Sequence, residues 1–170
     1  MFYYKNILLD SACTGIHLQT AIEYNSCYDS LYRGTSQQTL ATVAPYLFTF
    51  PQNTEFSNWY LETGWGNAWG ILFSTTASFE ECHKHFRKFL LVKTEAGKEL
   101  YFRFYDPRVL RVFLPSCNQQ QIIEFFGPVD HFITEGENKE QAIVSSQENG
   151  ILKQEELPAA ALFNQHIAIL

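Results

Sequence analysis

LLVKTEAGKELYFRFYDPRVLRVF, residues 90–113, holds two strands, a turn and a helix start in one line. Leu90 to Lys93 and Leu100 to Tyr105 are strand-like and flank Ala96-Gly97-Lys98, the clearest hairpin in the chain. Asp106-Pro107 then opens a helix: the aspartate caps it, and proline at the first helical position has its backbone angle already set. Val109, Leu110, Val112 and Phe113 are the apolar residues of that helix, and Pro115 is expected to stop it.

Upstream, Tyr3 to Asp10 reads as a short buried strand centred on Ile7-Leu8-Leu9, followed by a helix from Thr14 to about Tyr24. Tyr28 to Arg33 is extended. Thr35, with Gln38 in the capping-box position, opens a short helix that Pro45 ends. Tyr46 to Phe50 is a strand, Glu55 to Thr63 a helix capped by Gly64, and Trp69 to Ser74 a buried strand. Ser78 and Glu81 form a second capping box, and Phe79, Cys82, Phe86 and Phe89 make one apolar face of the helix behind it.

Downstream, Asn118 caps a helix carrying Ile122, Ile123, Phe125 and Phe126, and Gly127-Pro128 terminates it. Val129 to Thr134 and Ala142 to Ser146 are strands, Asn149-Gly150 is a turn, and Leu157 to Leu170 is an apolar tail with a short helix. Strands alternate with helices while one hairpin is antiparallel. The expected fold is therefore α/β: a single domain with a mixed β-sheet and helices packed on it.

At 170 residues and 46% hydrophobic, the chain is large enough for one core without staples. A net charge of −6 removes the whole-chain basic footprint that a nucleic-acid partner or an anionic membrane would select. Cys13, Cys27, Cys82 and Cys117 show no CxxC spacing and read as reduced thiols of a cytoplasmic protein. Lys5, Asn6 and Asp10 interrupt the first apolar stretch, which argues against an export signal, and no run reaches the ~20 apolar residues of a membrane helix.

Catalytic chemistry has weak support. Ser11, Cys13 and Cys82 are candidate nucleophiles and His17, His83, His85 and His131 candidate bases, but no nucleophile elbow is present. For metal, His83 and His85 lie about 200° apart on a helix and cannot share an ion. Glu81 and His85 could share one, but no second ligand set accompanies them. No catalytic residue, metal or cofactor is expected.

Two stretches suit binding. In Gly64-Trp65-Gly66-Asn67-Ala68-Trp69-Gly70, glycines shape a turn around two large indoles, which either anchor a partner or pack the core. In Arg103-Phe104-Tyr105-Asp106-Pro107-Arg108, strand alternation would set Arg103 and Tyr105 opposite Phe102 and Phe104, and Arg108 and Arg111 share a helix face. Three arginines at one strand-to-helix junction either bind partner carboxylates or pair internally with Asp106.

These strings, with Leu8-Leu9-Asp10-Ser11-Ala12, Leu31-Tyr32-Arg33-Gly34-Thr35 and Phe126-Gly127-Pro128 in the same order, resemble the DUF4123 family over roughly residues 3–135. The resemblance implies a cytoplasmic adaptor, not an enzyme, that binds a type VI secretion effector and helps load it onto the VgrG spike. It implies an adaptor domain over residues 1–135 and a short C-terminal extension, 136–170, packed on it. The candidate partner-binding residues are Trp65, Trp69, Arg103, Tyr105, Asp106, Arg108 and Arg111. An immunity protein that neutralises a cognate toxin is the alternative, and a small hydrolase a more distant one.

Overall fold

The structure, a computed structural model, describes residues 4–35, 40–51 and 54–163. In chain order these form β1 (Asn6–Asp10), α1 (Ser11–Thr14), α2 (His17–Tyr24), β2 (Tyr28–Ser30), a 3₁₀ turn (Ala41–Val43), β3 (Pro45–Thr49) and α3 (Glu55–Trp59). Then come a π-helical turn (Tyr60–Gly64), β4 (Gly70–Thr75), α4 (Phe79–Arg87), β5 (Leu91–Lys93), β6 (Glu99–Tyr101), α5 (Pro107–Ser116) and α6 (Gln119–Phe126). The last elements are β7 (Val129–Glu135), β8 (Gln141–Glu148), β9 (Ile151–Pro158) and α7 (Ala159–Phe163). The helix expected from Thr35 falls mostly on residues 36–39, and the end of the tail on 164–170, outside the described residues.

Seven strands make one sheet in the order β2-β3-β1-β4-β7-β8-β9, and β5 and β6 make a separate ribbon. The α/β class and the packed helices are as expected. The sheet differs from the mixed one expected in that every pairing is antiparallel. The reason lies in the insertion of β1. β3 and β4 both run antiparallel to β1, hence parallel to each other, and α3 crosses between them as in a βαβ unit. β1 fills the slot between the two, so the parallel pair never touches.

Both faces of the sheet are covered, which is why its central strands read as unbroken apolar runs. Leu8, Ile71, Phe73 and Phe132 face a cluster with Cys82 and Phe86 of α4, Leu110 and Leu114 of α5, and Ile122 and Phe125 of α6. Ile7, Leu9, Leu72 and Ile133 face the opposite way, onto Ala21 of α2, Phe56 of α3, Tyr60, Trp65, Trp69 and Leu162 of α7. The first cluster is a continuous aromatic packing: Phe86 meets Phe73 at 5.1 Å between ring centroids, and Phe125 meets Phe132 at 5.4 Å and Phe113 at 5.1 Å. The phenylalanine surplus goes mainly into this layer.

Three local expectations change. The second strand of the hairpin ends at Tyr101, not Tyr105. The Phe102 amide bonds to the Leu90 carbonyl at 3.0 Å, after which a turn closed by Asp106 N–H on the Arg103 carbonyl at 3.0 Å sends both Phe104 and Tyr105 inward. Burial of two consecutive aromatics breaks the strict alternation. Pro115 does not stop α5 but sits in its last turn. Its missing N–H costs one bond near the end, and the chain leaves at Cys117, whose amide bonds to Leu114 O at 3.2 Å. Strand β9 has no counterpart in the sequence reading. Its residues are mostly exposed, and what holds it is the backbone ladder from Glu148↔Ile151 to Gln141↔Pro158, with Leu152 and Leu157 partly buried against the two core clusters.

Candidate functional site

The C-terminal end of β1, the start of α5 and the turn before β4 meet at one place, and both recognised strings converge there. Asp10 ends β1 and is fully buried; its side chain caps α1 by accepting the Ala12 amide at 3.0 Å. Its backbone amide bonds to the Trp69 carbonyl at 2.8 Å, tying β1 to the GWGNAWG turn. Asp106 is the N-cap of α5 as expected, with Pro107 in its first turn and the Arg108 amide bonded to Oδ1 at 2.9 Å.

Two guanidiniums lie over these two buried carboxylates. Arg103 bonds Asp10 through Nη2, which also reaches Cys13 Sγ at 3.4 Å and stands 3.7 Å from Asp106. Arg108 grips Asp106 with a fork, Nε on Oδ1 at 3.0 Å and Nη2 on Oδ2 at 2.7 Å. The side chains of Arg103 and Arg108 remain 42% and 59% exposed, whereas those of Asp10 and Asp106 are 0% and 3%. The site is therefore a pair of positive groups at the surface, held from below by negative ones. Burial alone would raise the Asp106 carboxyl, but the hydrogen bonds from Arg108 and the charges of Arg108 and Arg103 outweigh it and hold the group below its usual range.

Asp10, Cys13 and Asp106 bring three potential ligand atoms within 4.8 Å of one another, as a metal site would. Here the Arg103 guanidinium bonds two of them and stands near the third, so it supplies the positive charge itself. Burial and the neighbouring Asp10 carboxylate push the Cys13 thiol up, the opposite of what activates a nucleophilic cysteine. The Ser11 hydroxyl donates to Ala44 O at 2.7 Å. His83 and His85 bond the carbonyls of Ser30 and Phe125, each at 2.8 Å. Glu81 closes its capping box on Ser78.

Arg111, one turn beyond Arg108, donates from Nη1 to the Glu135 carbonyl at 2.8 Å. The Glu135 carboxylate in turn fills the GWGNAWG turn, taking the Gly66 amide on Oε2 at 2.7 Å and the Ala68 amide on Oε1 at 2.8 Å. Gly66 and Ala68 reach φ of 88° and 55°, and their two amides point at one spot and make an anion-binding turn, while the Asn67 amide between them bonds Gly64 O. The turn serves a carboxylate of the chain itself. Trp65 and Trp69 are 6% exposed, and Trp65 Nε1 donates to Lys139 O at 2.8 Å, so both indoles belong to the core layer. Tyr105 is likewise buried. Of the seven candidate residues, Arg103, Arg108 and Arg111 retain surface, Asp106 organises them, and the three aromatics build the floor.

Asp10 and Glu135 belong to this network and were not among the sequence candidates. Asp10 carried a signal, a carboxylate ending an apolar strand just before a helix. Glu135 ends a strand beside a glycine, and nothing in one sequence ties it to a turn at residue 66.

Burial pushes the Glu135 carboxyl up, against the two amides and Arg111. A carboxyl raised in the folded state contributes stability below its ordinary value of 4.5 and loses that contribution as pH rises through the folded value. Urea titrations of the parent and Glu135→Gln across pH 4–8 (roughly the range in which such a group titrates) should show the parent losing stability relative to the variant as pH rises. A gap that stays constant with pH would refute this.

No curated protein and no solved structure matches the chain. Among the described residues no helix is long and apolar enough to cross a membrane. One family profile, described as a domain of unknown function, DUF4123, matches residues 7–124. That span runs from within β1 through most of α6 and therefore holds the whole arginine–aspartate junction, and the chain belongs to the DUF4123 family.

Proposed function

We propose that the chain is a cytoplasmic adaptor that binds a type VI secretion effector and helps load it onto the VgrG spike by non-covalent contacts. The observation that carries this reading is the Arg103–Arg108 pair. Arg108 is fixed by its fork on buried Asp106, and among the described hydrogen bonds its Nη1 donates none. A guanidinium ordered before binding loses less freedom when it meets a partner carboxylate, so more of the contact appears as affinity. The protonated Cys13 thiol and the committed Ser11 hydroxyl support binding over catalysis.

Co-expression with the neighbouring effector and spike genes, followed by size-exclusion chromatography with truncated partners, tests the reading. A complex with the effector's loading region or the spike's C-terminal segment is the expected result. Arg108→Glu should weaken it by about tenfold or more, with the circular dichroism of the free chain unchanged. Binding confined to a toxin's catalytic domain would replace the adaptor with an immunity protein. An unchanged affinity in a folded Arg108→Glu variant would remove the arginine from the interface.

A further inference from the structure

The β5–β6 ribbon takes no part in the junction. All six of its strand residues are exposed, Leu91, Val92, Leu100 and Tyr101 among them. A two-stranded ribbon is marginal in water by itself. This one is tethered at its base by the Phe102–Leu90 backbone bond and by Tyr101 against the Tyr32 ring, 5.8 Å between centroids.

Between ribbon and body runs a cleft of about 200 Å³. Leu90, Leu91 and Tyr101 give it apolar walls, and Arg33, Arg87 and Lys88 its charges. Among the described residues these three are the only charged ones lining it, and all are cations, in a chain of net charge −6. Arg33 is held by Asp29 at 2.7 Å, whereas Arg87 and Lys88 form no ion pair among the described residues. Their position at the end of α4 places part of that charge against the helix dipole and leaves the remainder to solvent. The volume is below the ~300 Å³ at which small-molecule sites begin, so the cleft suits a side chain of a longer ligand.

We propose that this cleft docks an acidic peptide segment of a partner protein. One large apolar side chain of the segment lies against Leu90, Leu91 and Tyr101, and carboxylates beside it meet Arg87 and Lys88. A second copy of the chain fits less well, because a twofold contact through this patch sets the same cations face to face. The proposal deepens the adaptor reading by naming the chemistry of the gripped segment, and it rests on that reading for the identity of the partner.

The test is to pan random peptides displayed on phage against the full chain. The double charge reversal Arg87→Glu with Lys88→Glu and the remote surface variant Lys153→Glu run in parallel. The parent and Lys153→Glu should enrich peptides with Asp or Glu flanking Leu or Phe. A labelled peptide of that consensus should lose at least about tenfold in affinity to the double reversal and bind more weakly as salt rises. Enrichment without an acidic bias, no enrichment, binding that survives the double reversal, or a dimer that competes with the peptide would each overturn the proposal. If the double reversal spares peptide binding while Arg108→Glu loses the effector or spike complex, the cleft fails and the adaptor reading stands. If the peptide result holds and no effector or spike complex forms, the adaptor reading fails and the cleft stands.

Discussion

Gly70→Ala should destabilise the chain by about 3 kcal/mol or more, one of the two largest single-residue effects expected here. A Cβ at this position would lie 2.1 Å from the Leu8 carbonyl oxygen, 3.0 Å from the Leu8 carbonyl carbon and 3.1 Å from Leu9 Cα. All three are backbone atoms of β1, so no side chain can swing aside to make room. Gly70 opposes Leu9 in the β1–β4 ladder, and the neighbouring Asp10 amide already bonds to Trp69 O. Relief therefore means parting the two central strands where the arginine junction is attached. Urea unfolding read by tryptophan fluorescence would show the loss as a lowered midpoint. A midpoint equal to the parent's would mean that the sheet yields locally and that the close approach is not required.

Arg103→Met should cost about 3 kcal/mol, because it keeps the length of the side chain and removes the counter-charge of a fully buried carboxylate. Losses of this kind run to about 5 kcal/mol in sealed sites. The lower figure applies because the Arg103 side chain is 42% exposed and water can approach its vacated place. The companion experiment is the pair Asp10→Asn with Arg103→Met. Asparagine can still cap α1, and with both charges gone most of the stability should return. A cycle with no coupling between the two positions would show that Arg103 contributes through packing and not as the partner of Asp10.

Much of the junction was legible because its signals are local. Asp106-Pro107 is a local helix-start signal, the capping box at Ser78 forms as its spacing dictates, and Asn118 caps its helix as read, with Gln121 completing a box there as well. What escaped depends on distant partners. The carboxylate under Arg103 is Asp10, ninety-three residues away, and the anion-binding turn formed by Gly66 and Ala68 is filled from Glu135. The tryptophans show the same limit: a Trp beside a glycine turn has the composition of a partner anchor, and only the Lys139 carbonyl reveals that Trp65 is committed internally. Strand β9 escaped for the opposite reason. Only Leu152 and Leu157 are partly buried in it, one against each core cluster, and two apolar contacts in eight residues leave no hydrophobic period to read.

The placement of β1 between two later strands has a consequence during synthesis. Leu8 pairs with Leu47 on one side and Ile71 on the other, so β1 can close its ladder to β3 once Thr49 is made, but its ladder to β4 only once the ribosome has passed Phe73. Until then Ile7-Leu8-Leu9 keeps at least one edge unpaired, open to chaperones and to other nascent chains. Closing both edges of β1 takes two non-local pairings, which slows folding relative to a chain held by local contacts alone.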